Sequence, residues 1–299
     1  MAFRLGIDLG FVRSRYQEPE VWTKIVREEL GLGYVSIVAD ILNPDWPEDY
    51  LQELTAKLKC CLGEYDIKAE ACFTSALTRT PHLTHHDADM RRYYINWFKR
   101  FFALTAQLGC KMGGSHFGSM SFADYDDPGR RLYIIEEAVK GWQELSVYAG
   151  DLGFECLMFE PMSVPREMGN TVGECRQLMD MVNANSAIPM KVCLDIGHAP
   201  HPDERDPYPW IEQLGNESPM IHLQQTVLNK SNHSPFTKEC NETGIIKPEL
   251  VMQALGRAGA ADALMAFEIS HREHFDTEFK VIQDLKESVE YWRPYVPID

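Results

Sequence analysis

Eight times along this chain a short apolar run is followed by a segment of helical periodicity, with no linker between one pair and the next. The runs are Phe3–Gly10, Tyr34–Ala39, Ile67–Phe73, Lys111–Phe117, Phe154–Pro161, Met190–Ile196, Met220–Gln225 and Ala263–Ile269. They are apolar throughout rather than alternating, the pattern of strands buried on both faces of a parallel sheet. Between them, Trp97, Phe101, Leu104 and Leu108 fall on one helical face, as do Ile282, Leu285, Val289 and Trp292. Gly109 and Gly153 stand where helices should end, and Thr171 with Glu174 forms a capping-box pattern that opens a helix. Right-handed crossovers close eight such units naturally, so the pattern predicts a single (β/α)8 TIM barrel over 1–299. A doubly wound open sheet would carry a G-x-G-x-x-G loop after its first strand, and Gly10-Phe11-Val12-Arg13 is not one.

Composition narrows the function. The sum of 29 basic and 45 acidic residues is −16, and Lys and Arg occur as isolated pairs such as Arg91-Arg92. A chain of this charge repels phosphate backbones and anionic membranes, so nucleic acid and membrane surfaces are not expected partners. No apolar run reaches the roughly 18 residues of a membrane span. Asp8 interrupts the place where a signal peptide would need its apolar centre. Eight cysteines without a C-x-x-C motif, several inside strand-like runs, read as free buried thiols in a reducing cytoplasm. The expected partner is a small molecule, with self-association into a homo-oligomer left open.

In a barrel of this kind the active site collects at the C-terminal ends of the strands. There the chain places Glu160 on strand 5, Asp195 on strand 6, His222 on strand 7 and Glu268 on strand 8. Unpaired carboxylates in apolar surroundings cost several kcal/mol each. Three of them with no neighbouring Lys or Arg call for a cation. Oxygen ligands plus one imidazole suit a single divalent ion, with Mn²⁺ favoured over Mg²⁺, Co²⁺ or Zn²⁺, and no organic cofactor is needed. His116 sits at the end of strand 4 between glycines that would let a ligand approach, and is a candidate contact for a substrate hydroxyl. Arg272, with His271, is a candidate for a terminal phosphate or carboxylate. The aromatics Phe11, Tyr16 and Trp46 could wall a sugar pocket.

The ordered set of Glu160, Asp195-x-x-His198, His222 and Glu268 resembles that of the xylose isomerase-like TIM barrels, and most closely their ketose 3-epimerase and sugar or sugar-phosphate isomerase branch. The resemblance covers the whole barrel. It implies that Glu160, Asp195, His222 and Glu268 are the metal ligands and that His198 binds substrate or supports Asp195. Thr243-Gly244-Ile245-Ile246-Lys247 resembles the family's Gly-x-Ile-Asp helix entry, with Lys247 in place of the acid. Where epimerases of this branch carry an Arg six residues after the strand 7 His, this chain has Leu228, so Lys230 or His233 would substitute for it. Glu167 is the counterpart of the family's substrate-binding Glu, two residues out of step.

The resemblance implies proton abstraction next to a ketose carbonyl through a metal-stabilised enediolate, with Glu160 and Glu268 as the catalytic pair on opposite faces. Return of the proton to the same carbon epimerises it, and return to the adjoining carbon isomerises the sugar. A lyase that expels a leaving group or CO₂ from the same enediolate is the alternative. The related endonuclease IV pattern fails at Cys72-Phe73 and at Asn229-Lys230-Ser231, and a non-catalytic sugar-binding module would not require two carboxylates on a metal. The polar stretch 228–243 is expected to lie as a loop over the catalytic face, too polar for the core.

Overall fold

A computed structural model describes residues 2–74, 79–198, 203–271 and 278–296. The eight strands are β1 (Ala2–Asp8), β2 (Tyr34–Val38), β3 (Lys68–Phe73), β4 (Met112–His116), β5 (Cys156–Glu160), β6 (Met190–Asp195), β7 (Met220–Leu223) and β8 (Asp262–Phe267). They form a closed parallel barrel in sequence order, sealed where Ala2 to Ile7 pair with Asp262 to Phe267. The helices are α1 (Pro19–Lys24), α2 (Glu48–Glu64), α3 (Ala88–Ala106), α4 (Phe122–Asp126), α5 (Pro128–Asp151), α6 (Val172–Asn183), α7 (Pro207–Leu214), α8 (Lys238–Thr243), α9 (Pro248–Ala258) and α10 (Glu278–Trp292). The chain is thus the single (β/α)8 barrel that its eightfold alternation predicts, each strand starting and ending within two residues of the expected place.

Local chemistry explains several boundaries. The Thr171 hydroxyl accepts from Glu174 N and opens α6, while the Glu174 carboxylate reaches back to Asn170 N, one residue before the cap. Gly153, at φ +85°, turns the chain out of α5. On α10, Leu285, Val289 and Trp292 are buried as one stripe against the barrel wall. The eight cysteines are all unbridged, and six of them are buried.

Two layers of side chains build the core. The larger lies between the sheet and the helices and includes Trp22, Trp142 and Trp292. The smaller fills the barrel itself and comprises Ala71, Phe73, Met112, Cys156, Met158, Cys193, Met220, Leu264 and Ala266. Strand side chains alternate between the two layers with period two. Continuing each inward series by one step gives the next inward residue: Cys156 and Met158 lead to Glu160, Cys193 to Asp195, Met220 to His222, Leu264 and Ala266 to Glu268. The pleat itself therefore aims these four groups at the barrel axis.

The glycines of β4 have a different purpose from the one the sequence suggests. A methyl group on Gly114 would lie 2.2 Å from the Met158 carbonyl oxygen and 2.6 Å from the Phe73 ring. One on Gly113 would meet Phe154 and Phe102. They permit close approach of β5 and of core aromatics rather than of a ligand.

The 228–243 stretch also departs from expectation, since it is only partly loop. Lys238–Thr243 is α8, and Phe236 is fully buried, stacked on Tyr291 and edge-on to Trp292. A bridge between Gln225 and Ser234 (N···O 2.8 and 3.0 Å) closes its base. Polar composition hid an aromatic anchor.

Candidate metal centre and active site

The four inward groups converge. Glu160, Asp195, His222 and Glu268 each offer a ligand atom, and these atoms lie within 4.8 Å of one another. His222 Nδ1 is 2.9 Å from Glu160 Oε1 and 3.1 Å from Glu268 Oε2. Ligand atoms at right angles, each about 2.1 Å from an ion, stand about 3.0 Å apart. Glu268 Oε2 and His198 Nδ1 are buried without hydrogen-bond partners. The orphaned Glu268 oxygen, in a donor set of three carboxylates and an imidazole, fits a divalent cation. Cys193 lies beside Glu160 and His222, and burial pushes its thiol up to about 12.

Asp195 is held on both sides. Its Oδ1 accepts from Gly197 N at 2.6 Å and its Oδ2 from Gln224 Nε2 at 2.7 Å. Burial pushes this carboxyl up, and Glu268 and Glu160 add to the effect against His198 and His233. Burial likewise opposes charge on His222, yet Cys193, Glu268 and Glu160 raise it well above the ordinary imidazole range. Glu268 goes the other way: burial would raise it, but His222 and His233 hold it well below the usual carboxylate range. Without an ion, imidazolium protons balance the carboxylates. Asp195→Ala is expected to weaken Mn²⁺ binding by roughly 100-fold or more, because it removes a charged ligand and frees Gln224. Calorimetric titration of the chelated protein reads this directly, and wild-type affinity would rule Asp195 out as a ligand.

A cavity of about 260 Å³ opens above the cluster, lined by Arg79, His116, Glu160, His198, His233 and Glu268 among others. His198 and His233 face each other at 3.1 Å between their Nε2 atoms, and His233 Nδ1 lies 3.5 Å from Glu268 Oε2. His233 sits in the left-handed region (φ +49°), its N–H donating to Gln224 Oε1. His116 lines the cavity but has both ring nitrogens engaged, Nε2 with Thr80 O at 3.1 Å and Nδ1 with Ser115 Oγ at 3.2 Å. Burial pushes it down to about 4, so it is a neutral imidazole.

The remaining candidates are dispersed. Glu167 is buried and clamped by Arg79, whose Nε and Nη2 donate to its two oxygens at 3.0 and 2.6 Å. Lys230 is exposed and lines neither this cavity nor its neighbour. Arg272 lies outside the described residues. Of the aromatics, Phe11 lines the neighbouring cavity, Tyr16 is packed in the core, and Trp46 belongs to a separate groove beside α2. The two loop candidates therefore separate. His233→Ala is expected to lower kcat/KM by roughly 10- to 100-fold, whereas Lys230→Ala stays within about twofold of wild type. Steady-state kinetics on both variants is the check, and a larger loss from Lys230→Ala would reverse the assignment.

Three residues without a sequence assignment join the site: Gln224, Arg79 and Asp8. Asp8 ends β1, is buried, and accepts from Gly10 N at 2.8 Å. Burial and the neighbouring Glu268 push its carboxyl up to about 7 from an ordinary 3.8. An acid raised on folding costs stability once it ionises. The cost is absent below about pH 4, grows until about pH 7, and stays constant above. In metal-free protein, Asp8→Asn should therefore stabilise by up to about 4 kcal/mol at pH 8 and by little near pH 4. Thermal melts at the two pH values decide it, and equal gains would exclude this cause.

Comparison with known proteins agrees with the barrel fold. The chain is 34% identical over 301 residues to a D-erythrulose 1-phosphate 3-epimerase of Brucella abortus (strain 2308), covering 99% of this chain and 97% of that one. Among solved structures, a Rhodospirillum rubrum protein named after xylose isomerase superposes with a TM-score of 0.90 at 24% identity, over 99% of this chain and 100% of its own. A D-psicose 3-epimerase from Clostridium cellulolyticum H10 gives 0.76 at 16% identity, over 98% and 99%. Residues 27–295 match the family model of the xylose isomerase-like TIM barrels, and the chain belongs to that family.

Proposed function

We propose that this protein is a divalent-metal-dependent ketose 3-epimerase that acts on a short phosphorylated ketose of the D-erythrulose 1-phosphate type. The observation that carries the reading is the convergence of Glu160, Asp195, His222 and Glu268 at the mouth of the barrel, in a chain alike over nearly its whole length to an epimerase of that substrate. A divalent ion held by those four residues would polarise the ketose carbonyl and lower the cost of the enediolate. Mn²⁺ suits the donor set best.

The protein's own groups divide the remaining work. Glu160 and Glu268 reach the centre from β5 and β8, strands that do not pair, and come within 2.9 and 3.1 Å of His222 Nδ1. One of the two, as the carboxylate, takes the proton from the carbon beside the carbonyl, and the other, as the carboxylic acid, gives its proton to the opposite face, which inverts that carbon. His198 and His233 stand over the cluster as donors to substrate hydroxyls. Gln224 locks Asp195 and the His233 backbone together, so ligand and substrate contact are positioned by one amide.

The test is solvent deuterium incorporation. Incubation of the Mn²⁺-loaded protein with D-erythrulose 1-phosphate in D₂O should place one deuterium at C3 and yield the L-epimer. Deuterium at C2 with the carbonyl moved to C3 would convert the reading to an isomerase. Loss of a fragment from the carbon chain would convert it to a lyase.

A further inference from the structure

A second cavity of about 400 Å³ abuts the one above the metal cluster, and His233, Glu268 and Ser270 line both. Its other walls carry Arg13 and Arg15 from the β1–α1 connection, the carboxylates Asp8 and Asp40, and Ser231 and Asn232 from the segment after β7. We propose that this second cavity is an anion subsite in which Arg13 and Arg15 hold the phosphate of a ketose 1-phosphate while the keto end lies among the four metal-ligating residues. The proposal rests on the epimerase reading above and adds where the charged end of the substrate is recognised.

Reach comes first. In a ketose 1-phosphate the phosphorus is three bonds from the carbonyl carbon, so its site must adjoin the metal cluster. The Arg13 and Arg15 cavity meets this demand through Glu268, which belongs to both spaces. Electrostatics comes second. The chain carries −16 overall and the centre holds three carboxylates, a field that repels a phosphate dianion unless positive groups face it locally. Guanidinium forks match phosphate oxygens two at a time, which a lysine ammonium does not.

The two arginines are also held in place. Arg13 Nη1 donates to the buried Asp40 Oδ2 at 2.8 Å, and Arg15 Nη2 donates to His271 O at 2.8 Å. These bonds fix the guanidiniums on the wall of the cavity. Arg79, the other cation near the cluster, lines the metal-side cavity and gives Nε and Nη2 to the two oxygens of Glu167. Arg13, by contrast, gives Nη1 to Asp40, and Arg15 gives its Nη groups to the backbone carbonyls of Phe11 and His271. Lys230 lines neither space.

The experiment uses inorganic phosphate as the first probe. Calorimetric titration of the Mn²⁺-loaded protein should show saturable binding at millimolar phosphate, weakened at least tenfold in Arg13→Gln and in Arg15→Gln. Arg15→Lys, which keeps the charge and loses the fork, should fall between. As the second probe, kcat/KM for D-erythrulose 1-phosphate divided by that for free D-erythrulose should drop at least tenfold in the same variants. A ratio compares two substrates on one protein, so a partial folding defect does not move it. Wild-type protein that binds no phosphate would overturn the subsite, and so would phosphate binding lost in Arg79→Gln but kept in Arg13→Gln and Arg15→Gln. Phosphate binding with the expected variant pattern, but no deuterium exchange into either ketose, would leave the subsite standing and remove the epimerase reading.

Discussion

Glu160→Gln is expected to lower kcat by about a thousandfold or more while the protein still binds its metal. The amide keeps an oxygen toward the centre, so a ligand atom survives, but it cannot accept a proton from carbon. General-base removal alone accounts for roughly 10²- to 10⁴-fold. His222 adds to the loss, because its Nδ1 lies 2.9 Å from Glu160 Oε1 and would face a group of lower charge. Glu268→Gln should fail in the same way, and the two should differ in detail. If each carboxylate serves one face of the carbon, the two variants lose exchange from opposite epimers unequally. Single-turnover exchange measured from each epimer separately reads this out. Near wild-type turnover by either variant would end its assignment as an acid or base.

Gly114→Ala is expected to destabilise the fold by on the order of 3 kcal/mol or more, which lowers the melting temperature by roughly 5 °C. The added methyl would stand 2.2 Å from the Met158 carbonyl oxygen, which is backbone and cannot rotate aside. Either β4 and β5 separate or the residue twists out of register. Both disturb His116 and Glu160, which pair directly across these strands. A neighbouring change, Gly173→Ala on α6, meets nothing within 4 Å and serves as the control. Melting curves of the two variants make the comparison, and an unshifted Gly114→Ala would mean that the close strand approach is not required.

The barrel was legible because its strands are apolar on both faces, and a sheet buried twice leaves no other explanation for eight such runs. The convergence of Glu160, Asp195, His222 and Glu268 was legible because four such groups at the same end of four consecutive strands are hard to explain as separate caps. Period two would have revealed more. Asp8 follows Gly6 in the inward series of β1 just as Glu160 follows Met158, yet Asp8-Leu9-Gly10 reads equally well as the cap that it also forms. Gln224 lies one residue past β7 and reads as strand, and only the fold brings it to Asp195, 29 residues away. Arg79 lies beyond β3 in a segment with no periodicity, and its pairing with Glu167 spans 88 residues. Such long-range polar bonds leave no local pattern. The glycines of β4 misled for a related reason: their neighbours are on β5 and in the Phe154 and Phe102 rings, which the local sequence does not display.

The segment after β7 has a kinetic consequence. Its base is tied by the Gln225–Ser234 bridge, by Ser270 N to His233 O, and by Phe236 N to Ser288 Oγ, with Phe236 seated under α10. Residues 227 to 232 lie beyond these ties and are held by lighter ones, Thr226 Oγ1 to Lys230 O and Arg205 Nη1 to Asn229 Oδ1. Such a flap can rise about 10 Å at full extension. Excursions of so short a loop take nanoseconds to microseconds, whereas typical turnover takes milliseconds to seconds. Opening and closing of this mouth are therefore at equilibrium on the timescale of each catalytic cycle. On the epimerase reading proposed above, a substrate deuterated at the reacting carbon should therefore show its isotope effect undamped by loop motion.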